Sequence, residues 1–389
     1  MEILEEKICS CALNRIFGFN PKAGLALIAH FGSAAGVFRA NRQQLAMALG
    51  AFSRHLPSLC QEAVKHAAKE IKELEEDGIQ FAGWNEDGYP PLLKECPDAP
   101  LGLYIRSMTK ADELWKPGLK IAVVGTRDIS PYGKEWCART VSALASSGGN
   151  PMIISGLALG TDICAHKTAL ESGLPTVAVM ATGPDIVYPH RHRSFARELY
   201  DTPGCALVTD YPPGTPPLAM HFLRRNRIIA GISDATILIE SKIKGGGLMT
   251  SRLACSYNRD VYALPGRADD IRSQGCNRLI RDKIAEPLIS PEDLLQSLGL
   301  KGRVSWTRAG IPEIIRSHFS RNTSEETMAL MMTFIETVRS ERGITLEEAA
   351  YRTGLGYSMA SNIAGMLEME GLICIDLLQR CFIERAIFG

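Results

Sequence analysis

The sequence predicts an α/β protein whose central part is a doubly wound, mainly parallel sheet. Six short apolar runs lie between residues 119 and 266, and a helix-like segment separates each run from the next. These runs are apolar almost throughout, which is typical of parallel strands that have helices on both faces. Together the alternation and the apolar strands predict a Rossmann-like domain.

The predicted elements of this domain alternate along the chain. We expect strands at 121–125, 152–156, 176–180, 206–210, 235–240 and 260–266. We expect helices at 131–147, 162–172, 191–200, 221–231, 248–257 and 274–283. Ser130 suits the N-cap of the first of these helices, and Pro131 suits its first position.

Two further regions precede the predicted sheet. Residues 1–78 are expected to form a helical domain, because apolar residues recur at helical spacing and Gly78 suits a helix end. Two interpretations stay open: a module like a SAM or helix-hairpin-helix domain that touches a phosphate, or a small packing domain. Residues 79–117 are rich in Pro, Gly and Asp and are predicted to be a linking segment with short strands. The Rossmann-like domain then occupies 118–300.

The C-terminal part is predicted to be a linker at 300–323 and a winged-helix domain at 324–389. A helix at 325–339 is followed by Thr345-x-x-Glu348, a capping box that opens a second helix. A third helix and two short strands, LICID and CFIER, complete the pattern.

Composition excludes several classes of protein. The formal net charge of the 389 residues is zero, which excludes a globally basic tail, although residues 118–290 carry 20 basic and 15 acidic residues. The positive middle segment is therefore where we expect an anionic partner.

No apolar run is long enough for a membrane span, and we expect no secretory signal. The eleven cysteines are scattered without a C-x-x-C pair, which predicts a reduced, cytoplasmic protein with no metal.

Several loops are predicted to meet at one edge of the sheet, because ligands of parallel α/β sheets bind outside the carboxyl ends of the strands. In the loop after the first strand, Arg127 is expected to contact a phosphate or to pair with Asp128 or a neighbouring loop. The glycine-bracketed loop at 155–162 presents N–H groups to an anion. Asp162 is expected to cap the next helix, and His166 to bond Asp162 in a structural role, with a catalytic dyad as the alternative.

Two more segments join this edge. The triple glycine at 245–247, with Thr250 in the following helix, predicts close approach to a ligand, the alternative being a flexible surface loop. The helix that opens at 221–227 has three arginines in four residues, which suits phosphates and bases. Phe222 or Tyr211 could supply a stacking surface. The alternative is a solvated face with ion pairs.

Catalytic and nucleotide-binding signatures are missing from these loops. The sequence has no G-x-G-x-x-G, GxxxxGK[ST], HExxH or G-x-S-x-G, and no nucleophile with a nearby base. A phosphate-cradling edge without such a constellation favours binding over catalysis, so we expect no enzyme and no cofactor.

Taken together, the loops resemble the DNA-processing protein A family (DprA, also called Smf). The matching stretches cover about 119–290 in the family's order: VVGTRDISPYGKE, SGLALGTDICAHKTAL, IVYPH, DYPPGTPP, FLRRNRIIAGISDA, GGGLMTSRLA, RDVYALPG and GCNRLIRD. The resemblance implies a DNA-binding pocket formed by Gly125, Thr126, Arg127, Ser155, Gly156, Ala158, Phe222, Arg225, Asn226, Arg227, Gly246, Gly247 and Thr250. Arg127 and Arg227 are expected to flank one groove. Leu159 departs from the family, in which many members have Arg, and Thr209-Asp210 replaces a more usual Ser-Glu.

The resemblance also implies a function. Members bind single-stranded DNA during natural transformation, protect it and help to load the RecA recombinase, and they form homodimers through the Rossmann-like domain. One alternative is a nucleotide-processing enzyme of the related phosphoribohydrolase group, but KGGGLMTSR lacks that group's proline and nearby acid. Another is a winged-helix transcription factor. Its recognition helix at 357–370 would have no Lys or Arg, which disfavours duplex recognition.

Overall fold

A computed structural model describes residues 2–116, 118–300, 315–316, 319, 323–341, 344–370, 372–376 and 379–383. The chain forms two compact units, Met1–Gly302 and Arg303–Gly389. Most of the predicted linker at 300–323 lies outside the described residues.

The first unit is built on a nine-stranded sheet, which confirms the predicted fold class. Its strands are β1 (Ile79–Gly83), β2 (Gly102–Arg106), β3 (Lys120–Val124), β4 (Met152–Ser155), β5 (Thr176–Val179), β6 (Ala206–Thr209), β7 (Ala235–Leu238), β8 (Asp260–Ala263) and β9 (Glu286–Pro287). Their order across the sheet is β1-β2-β6-β5-β4-β3-β7-β8-β9. Strands β3 to β9 are parallel to their neighbours, whereas β1 with β2 and β2 with β6 are antiparallel.

The strand order reverses next to β3. Strands β4, β5 and β6 follow on one side of β3, and β7, β8 and β9 follow on the other. Helices and loops that leave β3 and β7 therefore diverge, and a crevice opens outside the carboxyl ends of these two strands. The six predicted strands correspond to β3 to β8, and β9 was not predicted.

Fourteen α-helices are described in the first unit. They are α1 (Glu2–Phe17), α2 (Pro21–Phe31), α3 (Ala34–Arg39), α4 (Arg42–Leu49), α5 (Gln61–Glu76), α6 (Pro91–Lys94), α7 (Ala111–Leu114), α8 (Pro131–Ser146), α9 (Thr161–Glu171), α10 (Arg193–Tyr200), α11 (Ala219–Ile232), α12 (Gly246–Ser256), α13 (Gln274–Arg281) and α14 (Pro291–Ser297). Helix α8 begins as predicted, with the Ser130 side chain accepting a hydrogen bond from the Gly133 N–H and with Pro131 at the first position. In the part of the chain that the structure describes, every helix is too short or too polar to cross a bilayer.

Both faces of the parallel strands are buried, which explains why the strands are apolar throughout. In β3, Ile121 and Val123 pack in one cluster with Val141 of α8. Ala122 and Val124 point to the opposite face and pack in a second cluster, which includes Ile229 of α11. Successive side chains of a strand alternate between faces, so a strand covered by helices on both sides needs apolar residues at every position.

The N-terminal helices and the predicted linking segment belong to this same unit. Ile71 of α5 packs with Phe81 of β1 and Tyr104 of β2, so these helices cover the antiparallel end of the sheet. The boundaries at residues 78 and 117 remain predictions, because the helices, β1 and β2 share one compact unit with the parallel strands.

The second unit contains three described helices and a small antiparallel sheet. The helices are α15 (Glu325–Ser340), α16 (Leu346–Thr353) and α17 (Tyr357–Met369), and the strands are β10 (Ile344–Thr345), β11 (Ile373–Ile375) and β12 (Arg380–Ile383). The sheet order is β10-β12-β11. The predicted capping box is present, with the Thr345 hydroxyl accepting from the Glu348 N–H and the Glu348 carboxylate accepting from the Thr345 N–H. The winged-helix assignment remains a prediction.

Candidate functional site

A cavity of about 750 Å³ opens at the crevice between β3 and β7. Its walls are the loop after β3, the loop before α9, the first turns of α11 and the loop that leads from β7 into α12. Ten of the thirteen predicted site residues line it: Gly125, Thr126, Arg127, Ala158, Phe222, Arg225, Asn226, Gly246, Gly247 and Thr250. Ser155, Gly156 and Arg227 do not.

Ser155 and Gly156 lie behind the cavity wall. The Ser155 hydroxyl donates to the Val123 carbonyl at 2.7 Å and ties β4 to β3. A Cβ on Gly156 would overlap the guanidinium of Arg225, with only 1.9 Å to its Nη1. Gly156 is therefore needed for the close approach of Arg225 rather than for contact with a ligand.

Arg225 and Asp162 form the floor of the cavity. Arg225 Nη1 donates to the Val179 carbonyl at 2.5 Å. Burial lowers the pKa of Arg225, and the charge of Asp162 opposes that shift. Burial likewise raises the pKa of the Asp162 carboxyl, and Arg225 opposes that shift. The two charges thus stabilise each other at the base of the site.

The predicted roles of Asp162 and His166 are corrected by the structure. Helix α9 has Gly160 as its N-cap and no side-chain cap. The Asp162 carboxylate instead accepts from the Ala158 N–H at 3.2 Å, which closes the loop before the helix. The expected bond between His166 and Asp162 is wrong, because His166 Nδ1 lies 2.7 Å from the Thr176 hydroxyl.

Arg127 stands at the mouth of the cavity beside two aromatic rings. Its guanidinium lies 5.1 Å from the centre of the Phe222 ring, and Phe222 meets Tyr188 at 5.5 Å in an edge-to-face contact. The predicted alternative partner Asp128 is paired with Arg272 at 2.8 Å. Within the described residues Arg127 makes no ion pair, so its exposed charge is available to an anion.

The solvent-accessible aromatic rings at the cavity are Phe222 and Tyr188, whereas Tyr211 is buried. Tyr188 is 45% exposed, whereas Tyr211 is only 4% exposed and packs against the His221 ring at 4.4 Å. Burial raises the pKa of the Tyr211 hydroxyl. Tyr188, in the IVYPH stretch, had no predicted role, because its contact with Phe222 joins two segments that are distant in sequence.

The three arginines of α11 point to three different places. Arg225 enters the cavity, whereas Arg224 donates to the Gly18 carbonyl and stacks on Phe19 at 4.2 Å. Arg227 is 7% exposed, pairs with Asp210 at 2.5 Å and donates to the Asp98 carbonyl. The expectation that Arg127 and Arg227 flank one groove is therefore wrong.

The glycine loop brings a helix end to the cavity. A Cβ on Gly247 would lie 3.0 Å from Gly125 Cα, so the loops after β3 and β7 touch at this point. Gly246 faces open space, with only Asn226 Nδ2 within 4 Å of its added Cβ. Helix α12 starts at Gly246 without a side-chain cap, and its first N–H groups are the partners that an anion would use.

Two exposed lysines beside this loop were missed by sequence reasoning. Lys242 and Lys244 line the cavity and make no ion pair among the residues that the structure describes. Their position directly before the triple glycine was the available signal. With Arg127 and Arg225 they give the lining four basic side chains against two acidic ones, Asp128 and Asp162.

A metal-binding arrangement is not part of this site. Among the described residues, no group of three or more His, Cys, Asp or Glu side chains is placed to hold a metal ion. The chemistry that the cavity offers is positive charge, uncapped N–H groups and exposed aromatic faces.

Comparison with known proteins gives consistent matches to one family. The sequence model of the family described as DNA recombination-mediator protein A matches residues 80–299. Protein Smf of Escherichia coli is 36% identical over 225 residues, which are 58% of this chain and 58% of that protein. Protein Smf of Synechocystis is 35% identical over 59% of this chain and 56% of its own length. The match thus spans less than three fifths of either Smf protein. DNA processing protein DprA of Streptococcus pneumoniae is 36% identical over 59% of this chain and 76% of its own length.

Solved structures of two DprA proteins are similar to this chain. The X-ray structure of DprA from Streptococcus pneumoniae superposes with a TM-score of 0.63 at 30% identity and covers 73% of this chain and 95% of that chain. DprA from Helicobacter pylori, whose structure was described for its single-stranded DNA binding mode, has a TM-score of 0.50 at 27% identity. That match covers 56% of this chain and 95% of the other.

Proposed function

Because this chain belongs to the DNA recombination-mediator protein A family (DprA/Smf), we propose that it binds single-stranded DNA in the cavity between β3 and β7. The observation that carries the proposal is the arrangement at the cavity mouth. There Arg127, which makes no ion pair with any residue that the structure describes, lies over the Phe222 ring, Phe222 contacts Tyr188, and the uncapped start of α12 lines the same cavity.

Each part of the arrangement suits one part of a nucleotide. Basic side chains and helix N–H groups bind phosphates, and aromatic rings stack on bases. Stacking on Phe222 requires a base whose face is free, and duplex DNA hides the faces of its bases. The site therefore favours a single strand over a duplex of the same length.

The proposal extends to the wider role that the family suggests. The protein would protect incoming single-stranded DNA in natural transformation, help to load the RecA recombinase, act as a homodimer and work in the cytoplasm without a catalytic step. The similarity to DNA processing proteins named DprA supports this role, as does the single-stranded DNA binding of the Helicobacter pylori protein.

Salt dependence tests the phosphate contacts. Replacing Arg127, Lys242 or Lys244 by Ala should each lower the slope of log K against log salt by roughly 0.7, the value for one single-strand phosphate contact. Arg127→Ala should also weaken binding by about 1.5–3 kcal/mol, as expected for a charge-assisted hydrogen bond. The measurement is fluorescence anisotropy with a labelled oligo-dT at several salt concentrations.

Two variants serve as comparisons in this titration. Phe222→Ala should weaken binding by about 1–3 kcal/mol without changing the slope, because it removes stacking but no charge. Lys65→Ala removes an exposed lysine of α5, outside the cavity, and should change neither quantity. Wild-type affinity and slope in the Arg127, Lys242 and Lys244 variants, together with wild-type affinity in Phe222→Ala, would refute binding at this site.

A methyl group at Gly246 should weaken binding while the fold is kept. The added Cβ meets open space, and Ala in a helix is favoured over Gly by up to about 1 kcal/mol, so stability should be unchanged or higher. The methyl occupies the space through which an anion reaches the start of α12. We expect affinity for oligo-dT to fall about two- to tenfold, in line with the energy of charges at helix ends.

The matched control is Gly365→Ala in α17, where an added Cβ also meets nothing within 4 Å. The stability of Gly365→Ala should likewise be unchanged or higher, and its affinity for oligo-dT should equal that of wild type. Equal affinity of Gly246→Ala and wild type, measured by the same anisotropy assay, would show that the ligand does not approach this helix end.

A further inference from the structure

Strand β1 ends the sheet and leaves one edge without a partner strand. Among the strands that the structure describes, its one neighbour is β2, with Ala82 opposite Leu103 and Gln80 opposite Ile105. The Trp84 N–H donates to the Leu101 carbonyl at 3.0 Å, which identifies the hydrogen-bonded pairs of this antiparallel ladder. Bonded and non-bonded pairs alternate, so Ala82 and Gln80 bond to β2.

The remaining residues of β1 direct their backbone groups outward. By the same alternation, the N–H and C=O groups of Ile79 and Phe81 point away from β2. Among the residues that the structure describes, none donates to or accepts from these groups. The outer edge therefore offers alternate pairs of donors and acceptors, the pattern that a further strand would use.

A cavity of about 650 Å³ runs along this edge. It is lined by Leu74 of α5, which packs with Phe81 on one face of the sheet, and by Ala111 of α7 on the other face, where Ala82 is buried. Because residues of both faces line it, the cavity straddles the edge of β1 rather than lying over one face. A five-residue strand is about 17 Å long, so the edge is long enough for an extended segment.

The rim of this cavity is acidic. Five carboxylates line it, against two lysines: Glu6, Glu75, Glu86, Asp87 and Asp112, with Lys7 and Lys110. Lys7 already pairs with Glu86 at 3.6 Å. Glu75, Asp87 and Asp112 are exposed and make no ion pair within the described ranges. Strand β1 itself, IQFAG, has none of the lysines or prolines that commonly block an exposed edge.

We propose that the β1 edge is a docking groove for an extended, basic segment of another protein, which adds to the sheet as a tenth strand. The free backbone groups supply hydrogen bonds to the segment, and the uncompensated carboxylates select lysine or arginine side chains. Nucleic acid is disfavoured by the negative rim. A second copy of this chain is disfavoured because pairing two β1 edges would bring two acidic rims together. This surface is distinct from the positive cavity between β3 and β7.

The test uses the full-length protein and a labelled peptide, acetyl-KVKVKVK-amide, in an anisotropy titration at low salt. We expect saturable binding, and hydrogen exchange should slow at the amides of residues 78–84. The acidic peptide acetyl-EVEVEVE-amide should not bind. An extended peptide presents alternate N–H groups to its partner strand. Methylating the backbone nitrogens of one alternate set should therefore abolish binding, and methylating the other set should leave it intact.

Protein variants separate the charge contribution from the backbone. The double change Asp87→Asn and Asp112→Asn alters only exposed, unpaired side chains and should weaken peptide binding two- to tenfold. Glu198→Gln, an exposed acid of α10 outside the groove, should have no effect.

Three outcomes of the peptide titration would overturn the proposal: no binding of the basic peptide at millimolar concentration, equal binding of both N-methylated sets, or equal binding of the acidic peptide. Dimerisation that protects residues 78–84 without peptide would also overturn it, because it would assign the edge to a second copy of this chain.

Discussion

Arg227→Ala is expected to lower the free energy of unfolding by about 3–5 kcal/mol, because it leaves a buried carboxylate without its partner. Arg227 and Asp210 are 7% and 4% exposed and are joined at 2.5 Å. Arg227 Nη2 donates to Asp210 Oδ2, and Asp210 Oδ1 has no hydrogen-bond partner among the residues that the structure describes. The same arginine also donates to the Asp98 carbonyl, so the substitution removes a link between α11 and the segment before β2.

Urea unfolding followed by circular dichroism measures this loss. Arg197→Ala is the matched control, since Arg197 and Asp201 form an ion pair with side chains 76% and 53% exposed. Exposed pairs contribute about 0–1 kcal/mol, so this variant should unfold almost as wild type does. Under conditions where Arg227→Ala is still folded, its salt slope for oligo-dT should match wild type. Wild-type stability together with a reduced slope would instead place Arg227 on the DNA.

The free energy of unfolding should fall as the pH drops below about 6.5, and part of this loss should come from His166. The ring is fully buried, and burial, with the nearby charges of Arg225 and His192, lowers the pKa of His166 to about 3. The Thr176 hydroxyl donates its one proton to the Ile153 carbonyl at 2.9 Å, so it accepts from His166 Nδ1–H. Nε2 is buried and has no partner among the described residues, so a proton there would be an unpaired buried charge.

The direction of the effect follows from proton uptake in the two states. An unfolded histidine takes up a proton near pH 6.5, whereas folded His166 does so only near pH 3. The unfolded state therefore binds more protons between these values. The contribution of His166 to stability is complete above pH 6.5 and declines by about 1.4 kcal/mol per pH unit below it.

The measurement is urea unfolding at pH 7, 6, 5 and 4.5 for wild type and for His166→Asn. The asparagine amide can still donate to Thr176 but does not titrate. Carboxylates that titrate over this pH range affect both proteins equally and cancel in the difference. Wild type should lose about 3 kcal/mol more than the variant by pH 4.5. Parallel stability curves would show that His166 is protonated in the folded protein.

Local pattern was sufficient for most of the fold. Strands β3 to β8 were predicted because apolar runs between turn-forming residues are a property of neighbouring positions. The Ser130 cap and the capping box at Thr345 were predicted for the same reason, since a cap involves residues three apart. Strand β9 was missed because its two residues are exposed and carry no apolar signal.

At the candidate site, too, some features follow from local sequence and others depend on contacts between distant segments. The glycine loops and Arg127 directly follow strands, and Phe222 lies at the start of a helix. The carboxyl ends of parallel strands lie at one edge of a sheet, so the strand–helix alternation is enough to predict that these residues are at that edge. The destinations of the three arginines of α11 could not be predicted, because adjacent helix positions differ by about 100° and their partners are remote in sequence. Arg227 finds Asp210, 17 residues away, and Asp98, 129 residues away.

The sequence by itself therefore determined the α/β class, the succession of strands and helices along the chain, and the basic, glycine-rich character of the loops at the central edge. These follow from periodicity, caps and glycine placement, which act between residues close in the chain. Only the tertiary structure decided which charges are free and which are buried in pairs, and that β1 and β2 extend the sheet to an open, acidic edge. Burial and ion pairing depend on which segments pack together, and that packing is set by the whole chain.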